Sequence, residues 1–240
     1  MNGTHIVEVQ LHRAATLLQP ILDRMVFTGG AIRGLLVTDP AVDAPRPTHD
    51  IDTIIEVSSL AQYQVFELEL RKLGFKNDIR EDAPICRYVH GTLTLDVMPT
   101  EAALGFSNPW YPHAHHTASE HIISSSTAPP VTIRVISATC FIATKLVSYL
   151  DRGHGDPCGP STIPRRHHRD LEDIVDGRPS LFDELKQETV ELRRYVGSET
   201  AKLLANDLEQ HIPLHLSPDA ASQARFSIVL GRLRRISREL

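Results

Sequence analysis

The pattern of apolar and polar residues divides the chain into two parts of different character. Before residue 137, short apolar runs typical of strands alternate with segments of helical spacing, and after it helical spacing prevails. The predicted strands are residues 25–27, 51–57, 85–90, 92–98 and 131–136. The predicted helices are residues 9–23, 31–37, 60–73, 138–150, 169–175, 181–196, 199–210 and 220–240. We therefore expect an α/β (α+β) fold: a mixed-sheet core with flanking helices at residues 1–136, and a helical domain at residues 137–240.

Proline, serine and glycine mark the ends of several predicted elements. Pro20 is expected to kink the first helix, because proline removes a backbone donor. Ser58 is a candidate N-cap for the helix that begins at residue 60, and Gly74 is a stop signal for it. Residues 39–47 and 105–130 lack a clear period and are rich in turn-forming residues, so we predict loops there.

Two aspartates enter the second predicted strand as Asp50-Ile51-Asp52. Because alternate side chains of a strand face the same side, both carboxylates point one way and Ile51 points the other way, toward a core. Two carboxylates in such a setting are costly unless a positive charge lies between them, and oxygen ligands suit Mg²⁺ or Mn²⁺. Asp96, on the predicted strand 92–98, is a candidate third metal ligand. The alternative for Asp96 is a salt-bridged or exposed strand aspartate.

A Gly29-Gly30 pair follows the first predicted strand and precedes a predicted helix. Glycine permits close backbone approach, and a helix N-terminus attracts negative charge, so this turn is a candidate phosphate-binding element. A simple turn is the alternative. Combined with the acidic pair, the arrangement predicts a site for a metal-bound nucleoside triphosphate, in which the metal assists in-line phosphoryl transfer.

Composition and charge narrow the class of protein. The chain has 240 residues and a formal net charge of −5, so any nucleic-acid-binding patch must be local. Neither a membrane-spanning apolar run nor a signal-peptide pattern is found, and we expect no membrane partner. Three widely spaced cysteines match neither a disulfide framework nor a zinc pattern, which favours a cytoplasmic location.

Several charged residues of the second part admit two interpretations. Lys145 lies in an otherwise apolar helix, where a lysine is usually a surface residue but can also bind phosphate. The run Arg165-Arg166-His167-His168-Arg169 precedes Asp170 and Asp173, which can share one helix face. Such a run is usually a solvated helix face, and the alternative is a grip on the phosphates of a nucleotide or of RNA.

Two further clusters stand outside this pattern. The histidines 113, 115 and 116 invite a zinc interpretation, but no Cys or Glu lies at ligand spacing, and we favour a surface loop. The C-terminal helix carries four arginines, which are consistent equally with RNA contact and with a solvated amphipathic helix: Arg232, Arg234, Arg235 and Arg238.

The order of these motifs resembles a known superfamily. Thr28-Gly29-Gly30, then Asp50-x-Asp52, then Asp96 on a later strand is similar to the DNA polymerase beta-like nucleotidyltransferases. Lys145 in an apolar helix, followed by the Arg169–Asp173 motif, looks like the AbiEii/MenT branch of nucleotidyltransferase toxins. The resemblance covers residues 25 to about 176.

The resemblance implies a role for each matching residue. Asp50, Asp52 and Asp96 would hold Mg²⁺ (or Mn²⁺), and Lys145 would contact the triphosphate. The implied catalytic residues are Asp50, Asp52, Lys145 and Asp170, and the implied nucleotide-binding residues are Thr28, Gly29, Gly30, Arg33 and Lys145. A nucleotidyltransferase-like sheet followed by helices is the implied fold.

The expected activity is transfer of a nucleoside monophosphate from a nucleoside triphosphate to an acceptor. In the toxin branch the acceptor would be tRNA, another RNA or a protein, and an antitoxin protein would be a partner. In another branch the acceptor is a small hydroxylated molecule such as an aminoglycoside. A module that binds a nucleotide or a partner without catalysis is the alternative from a different class.

Overall fold

The computed structural model describes residues 3–42, 48, 50–81, 83–125, 128–152, 163–206 and 208–240. The chain forms two compact units. One comprises Met1–Gly34 and Ala44–Ser137, and we call it the sheet unit. The other comprises Leu35–Asp43 and Ala138–Leu240, and we call it the helical unit. Each unit is described by itself.

A single mixed sheet of seven strands forms the centre of the sheet unit. Its strands are β1 (Met25–Thr28), β2 (Asp50–Ile55), β3 (Lys76–Asn77), β4 (Arg87–His90), β5 (Leu93–Pro99), β6 (Ser119–Ile123) and β7 (Val131–Val135). The order across the sheet is β3-β4-β5-β2-β1-β7-β6. The pairs β2/β5 and β1/β7 are parallel, and the other four neighbouring pairs are antiparallel. The two sequence-distant parallel pairs place β1 and β2 at the middle of the sheet.

Helices cover the apolar side chains of this sheet. They are α1 (Gly3–Leu17), α2 (Arg33–Leu36, which crosses the unit boundary), α3 (Leu60–Lys72) and α4 (Tyr111–His116). Three 3₁₀ helices occur as well, at Gln19–Arg24, Gly30–Ile32 and Ala102–Leu104. Every residue of β1 is buried, as expected for a central strand flanked on both sides. Helix α3 is tied to the sheet by Tyr63, whose hydroxyl donates to the Val97 carbonyl at 2.9 Å.

The helical unit contains the remaining helices of the described chain. They are α5 (Ala138–Arg152), α6 (Ile163–Gly177), α7 (Leu181–Gln187), α8 (Val190–Ala205), α9 (Leu208–His215), α10 (Ala220–Ala224) and α11 (Phe226–Glu239). Their buried apolar faces meet at residues such as Leu146, Ile174, Leu185, Val196 and Leu233, each at most 1% exposed. The predicted fold class is confirmed: the chain has a mixed α/β sheet part and a helical C-terminal part.

Several predicted boundaries are wrong, each for a local reason. The predicted loop 105–130 contains β6, an edge strand whose side chains are mostly exposed and so gave no alternating apolar signal. The same segment contains α4, so the three histidines placed in a surface loop lie on a short helix. Ser59, not Ser58, caps α3: its side chain accepts a hydrogen bond from the Gln62 N–H at 3.3 Å.

The prediction of one continuous helix at residues 181–196 is also wrong, because the helix is interrupted at residues 188–189. Thr189 caps α8 there by accepting a hydrogen bond from the Leu192 N–H at 3.3 Å. Gly197 does not end a helix, since α8 continues to Ala205. A Cβ on Gly197 would lie 3.0 Å from the Leu240 main chain, so this glycine allows the C-terminus to pack closely against α8.

Residues Leu35–Asp43 join the helical unit through an arginine that binds two aspartates. Arg225 Nε lies 2.9 and 2.7 Å from the two carboxylate oxygens of Asp176, and Arg225 Nη2 lies 2.7 Å from Asp39 Oδ2. The Gly177 carbonyl also accepts hydrogen bonds from the Thr38 and Asp39 N–H groups at 2.8 and 2.9 Å. The segment is therefore held by both charge and backbone hydrogen bonds.

No helix in the described ranges combines the length and the apolar character needed to cross a bilayer.

We expect Arg225→Met to lower the free energy of unfolding of the protein by about 2 kcal/mol, because it leaves the Asp176 carboxylate, 6% exposed, without its bidentate partner. Urea unfolding followed by circular dichroism measures this loss. Arg234→Met is the matched control: its ion pair with Glu209 is half exposed and should change the free energy by less than about 0.5 kcal/mol. Equal effects of the two substitutions would contradict a stabilising role of Arg225.

Candidate functional site

Four neighbouring strands bring polar side chains into one row across the sheet. Arg87 of β4 is paired with Asp96 of β5, Asp96 with Asp52 of β2, and Asp52 with Thr28 of β1. Residues in direct register share a face, and Asp50 shares it too because it precedes Asp52 by two residues. We call Asp50, Asp52 and Asp96 the carboxylate cluster. The neighbouring Asp50 and Asp52 and the sequence-distant Asp96 thus lie on one face of two parallel strands.

The adjacent row points to the opposite face and explains why the register is fixed. Tyr88, Leu95 and Ile51 are in register with one another, and each is 0% exposed. A slip of one residue would bring the carboxylates into this core and expose the apolar row. The Tyr88 hydroxyl also donates to Glu67 Oε1 of α3 at 2.6 Å, which fixes that face further. The apolar face therefore holds the carboxylate cluster in position.

One arginine bridges two members of the cluster. Arg87 donates from Nε and Nη2 to the two oxygens of Asp96, both at 2.7 Å, and from Nη2 to Asp50 Oδ2 at 3.3 Å. The other oxygen of Asp50 accepts a hydrogen bond from Thr48 Oγ1 at 2.6 Å. The carboxylates of Asp50 and Asp96 thus converge on a single guanidinium nitrogen rather than pointing apart.

The surroundings of the cluster are electrically negative. The pKa of the Arg87 guanidinium is raised above its ordinary value, first by its hydrogen bonds to Asp96. Burial and then the charges of Asp96 and Asp52 raise the pKa of the Cys86 thiol to about 12, so this thiol stays protonated at neutral pH. Cys86 is a buried free thiol whose raised pKa reflects burial and the nearby negative charges, so it is not a nucleophile.

The Gly29 turn lies directly against the cluster. Gly29 has φ of +70°, a left-handed value that favours glycine, and a Cβ built on it would lie 1.8 Å from Asp52 Oδ2. A Cβ on Gly30 would instead meet Thr48 at 3.7 Å, which is ordinary contact. Of the two glycines predicted to permit close backbone approach, Gly29 is the one with a close neighbour, and that neighbour is Asp52.

The segment after this turn is shorter than predicted. In place of a helix at residues 31–37, the chain forms a 3₁₀ turn at Gly30–Ile32 and a four-residue α2 at Arg33–Leu36. Such a short helix has little of the dipole on which the predicted phosphate contact depends. Arg33 is 3% exposed at its start, and Thr28 is 4% exposed at the end of β1. The nucleotide-binding roles of Thr28, Gly29, Gly30 and Arg33 stay predictions.

The donor set of the cluster fits a divalent cation. All three groups are carboxylates, whose hard oxygens suit Mg²⁺ or Mn²⁺. Arg87 holds Asp96 at 2.7 Å and Asp50 at 3.3 Å, so Asp50 is the more available of these two carboxylates for a cation. Asp50 is open enough to accept a ligand, with its side chain 39% exposed, whereas Asp96 is 9% exposed.

In the helical unit, Lys145 and Asp170 form an ion pair. Lys145 Nζ of α5 lies 2.6 Å from Asp170 Oδ2 of α6, and the two side chains are 13% and 17% exposed. Lys145 Nζ also lies 5.3 Å from the centre of the Phe141 ring. Sequence reasoning singled out both residues, and the structure brings them together. Their roles toward a nucleotide stay predictions.

The other charged candidates are engaged elsewhere or lie outside the described side chains. Arg232 donates to the Val175 carbonyl at 2.8 Å, Arg234 pairs with Glu209, and Arg235 stacks on Phe182 at 3.6 Å. The side chains of Arg165, Arg166, His167 and His168, and all of Cys158, lie outside the described residues. Three of the four C-terminal arginines therefore make contacts within the helical unit.

On α4, His115 is 9% exposed, and its pKa is lowered first by burial and then by the charge of Arg134. Burial therefore disfavours protonation of this one imidazole.

Sequence reasoning missed Arg87 and Thr48. The signal for Arg87 was present, because a hairpin that turns at Gly91 with His90 opposite Leu93 places Arg87 opposite Asp96. Thr48 had no signal, since it lies between the loop predicted at residues 39–47 and the strand predicted to begin at residue 51.

We expect Gly29→Ala to destabilise the fold by about 2 kcal/mol or more, because the new methyl group would force Asp52 to move and alanine is strained at this φ. Gly30→Ala is the matched control, with an expected change within about 1 kcal/mol of zero. Thermal and urea unfolding of both variants give the comparison. A stable Gly29→Ala protein would mean that the turn is not constrained by Asp52.

We expect Lys145→Met to cost about 2 kcal/mol in free energy of unfolding, because Asp170 loses a close partner in a largely buried setting. Lys186→Met tests the contribution of the ring contact alone, since exposed Lys186 lies 5.8 Å from the Phe182 ring centre. Its expected cost is below about 0.5 kcal/mol. If Lys145→Met unfolds at the same urea concentration as the unaltered protein, the ion pair contributes nothing to stability.

Comparison with known proteins adds no independent identification. No protein-family model matches the chain, and no curated protein matches it significantly. The carboxylate cluster and the motifs that form it are therefore the features that indicate a function.

Proposed function

We propose that the protein is a nucleotidyltransferase, which transfers a nucleoside monophosphate from a nucleoside triphosphate to a hydroxyl-bearing acceptor. The observation that carries the proposal is the convergence of Asp50, Asp52 and Asp96 on one sheet face, with Gly29 packed against Asp52. This is the arrangement that the resemblance to polymerase beta-like nucleotidyltransferases implies for residues brought from three separate segments.

The residues of the cluster have distinct tasks in this proposal. Asp50, Asp52 and Asp96 would hold Mg²⁺ (or Mn²⁺), which supplies charge neutralisation for the triphosphate and the leaving oxygens. Gly29 keeps the β1 turn free of a side chain beside Asp52, and Thr48 orients Asp50 by a hydrogen bond. Asp96 is fixed by two hydrogen bonds from Arg87.

The nucleotide contacts follow from the resemblance. The residues that would border the triphosphate are Thr28, Gly29, Gly30 and Arg33. Lys145 would add its positive charge to that of the metal ion, and Asp170 would complete the catalytic set. Lys145 is held by Asp170 in the helical unit, so its ammonium is already oriented before any ligand binds. Orientation of this kind lowers the entropic cost of binding.

Two classes of acceptor, a macromolecule and a small hydroxylated molecule, are compatible with the proposal. For a toxin of a toxin–antitoxin pair the acceptor is tRNA, another RNA or a protein, and an antitoxin protein is the partner. A small hydroxylated molecule, as for aminoglycoside-modifying enzymes, is favoured by one observation: Arg232, Arg234 and Arg235 are used within the helical unit. The net charge of −5 points the same way, because RNA binding relies on positive charge. A cytoplasmic location, where nucleotides and either acceptor class are found, belongs to the proposal.

The test is transfer of label from each α-labelled nucleoside triphosphate, with Mg²⁺ or Mn²⁺, to total RNA, to the protein itself and to a panel of aminoglycosides. We expect transfer with at least one triphosphate, and we expect Asp50→Asn and Asp52→Asn to reduce its rate by about 100-fold or more. The conservative amide retains size and removes only the metal-binding charge.

Asp23→Asn is the control, because Asp23 is an exposed aspartate of the sheet unit outside the cluster. It should retain the full rate. Full activity of the folded Asp52→Asn protein would overturn the proposal. Binding of a triphosphate without transfer to any acceptor would favour the non-catalytic nucleotide-binding module.

A further inference from the structure

Arg87 occupies the position where a cation would have to act on the carboxylate cluster. Its guanidinium touches Asp96 and Asp50 together, and these are two of the three proposed metal ligands. We infer that Arg87 is a positioning residue that serves as the internal counter-ion of the cluster. A divalent cation displaces it from Asp50, while Arg87 keeps its hold on Asp96. The inference rests on the proposed function for the metal site.

The two contacts of Arg87 differ in strength. Toward Asp96 it makes two parallel hydrogen bonds of 2.7 Å to a carboxylate that is 9% exposed, the bidentate geometry in which arginine binds carboxylates best. Toward Asp50 it makes one bond of 3.3 Å to a carboxylate that is 39% exposed. An incoming cation therefore competes with Arg87 for Asp50, because the Arg87–Asp50 contact is the weaker and more accessible of the two.

Strand pairing fixes the base of this side chain. Arg87 and Asp96 are direct partners in the antiparallel β4/β5 pair, so the Arg87 backbone cannot move away from Asp96 without disturbing the sheet. Only the distal part of the guanidinium, at Nη2, reaches Asp50. A small rotation about the side chain can break that contact and preserve the Nε contact with Asp96.

Two consequences follow from a built-in counter-ion. Without a cation, Arg87 offsets the repulsion among three carboxylates and so stabilises the folded sheet unit. With a cation present, the same charge opposes binding, because the cation must replace Arg87 at Asp50 and is repelled by it. Removal of the guanidinium should therefore weaken the fold in chelator and strengthen cation binding, which are opposite effects of one substitution.

The test is calorimetric titration of the full-length protein with MnCl₂ and with MgCl₂, in the absence of any nucleotide. Arg87→Met keeps an unbranched apolar side chain and removes the charge, and we expect Mn²⁺ binding to become about tenfold tighter. Arg24→Met is the matched control: Arg24 forms an exposed ion pair with Glu69 in the same unit and precedes the end of β1 that is opposite to Thr28, so its loss should leave Mn²⁺ affinity unchanged. Asp52→Asn should abolish binding in both backgrounds.

Thermal unfolding supplies a second measurement. In EDTA, Arg87→Met should melt at a lower temperature than the unaltered protein, and saturating Mn²⁺ should raise its melting temperature by more than it raises that of the unaltered protein. If Arg87→Met fails to fold, Arg87→Lys carries the test. Lysine keeps the charge but lacks the planar fork, so we expect a smaller increase in Mn²⁺ affinity.

The possible results distinguish the counter-ion role of Arg87 from the existence of the proposed metal site. Asp52-dependent Mn²⁺ binding that is equal or weaker in Arg87→Met overturns the role of Arg87 and leaves the proposed metal site standing. Absence of Mn²⁺ binding in the unaltered protein and in Arg87→Met overturns both. Binding that appears only in Arg87→Met supports Arg87 as the competitor of the cation.

Discussion

The parallel pairing of β2 with β5 is the constraint on which the site depends. It sets Asp52 beside Asp96, and the alternation of β2 adds Asp50 to the same face. Like charges at this spacing repel, and the sheet tolerates them because the opposite face buries Ile51 and Leu95 completely. Burial of two such side chains contributes about 3–6 kcal/mol, and the contacts of Arg87 with Asp50 and Asp96 offset part of the repulsion.

Arg87, on the neighbouring strand β4, reduces the repulsion among these carboxylates. It neutralises the least exposed carboxylate, Asp96, and leaves the more exposed Asp50 with a longer contact. Without Arg87 the cluster would be less stable in the absence of a cation, and the longer contact of Arg87 with Asp50 still leaves that carboxylate accessible to a cation. Stability and binding are opposing demands on the same side chain, as is common at functional sites.

More of the fold than of the candidate site could be predicted from the sequence. The fold class and most strands were predictable because their apolar runs are strong, as in β1 and β2. Edge strand β6 was not, since its side chains are exposed and carry little pattern. The shared face of Asp50 and Asp52 was predictable from strand geometry alone, and Asp96 came from its motif context. Thr48 and the exact packing of Gly29 on Asp52 could not be predicted, because they depend on the path of a segment without periodicity.

Two arginines in this chain each bind a pair of aspartates, and their comparison explains why only one marks a candidate site. In the helical unit, Arg225 places its bonds on buried Asp176 and on Asp39, all at 2.7–2.9 Å. Every bond from Arg225 to a carboxylate oxygen is short, so both aspartates are firmly held. In the sheet unit, Arg87 satisfies Asp96 but reaches Asp50 only at 3.3 Å, and Asp52 adds a third negative charge beside them. A partly exposed carboxylate that is held by one long contact stays available to a ligand, whereas a buried carboxylate that is held by short bonds does not.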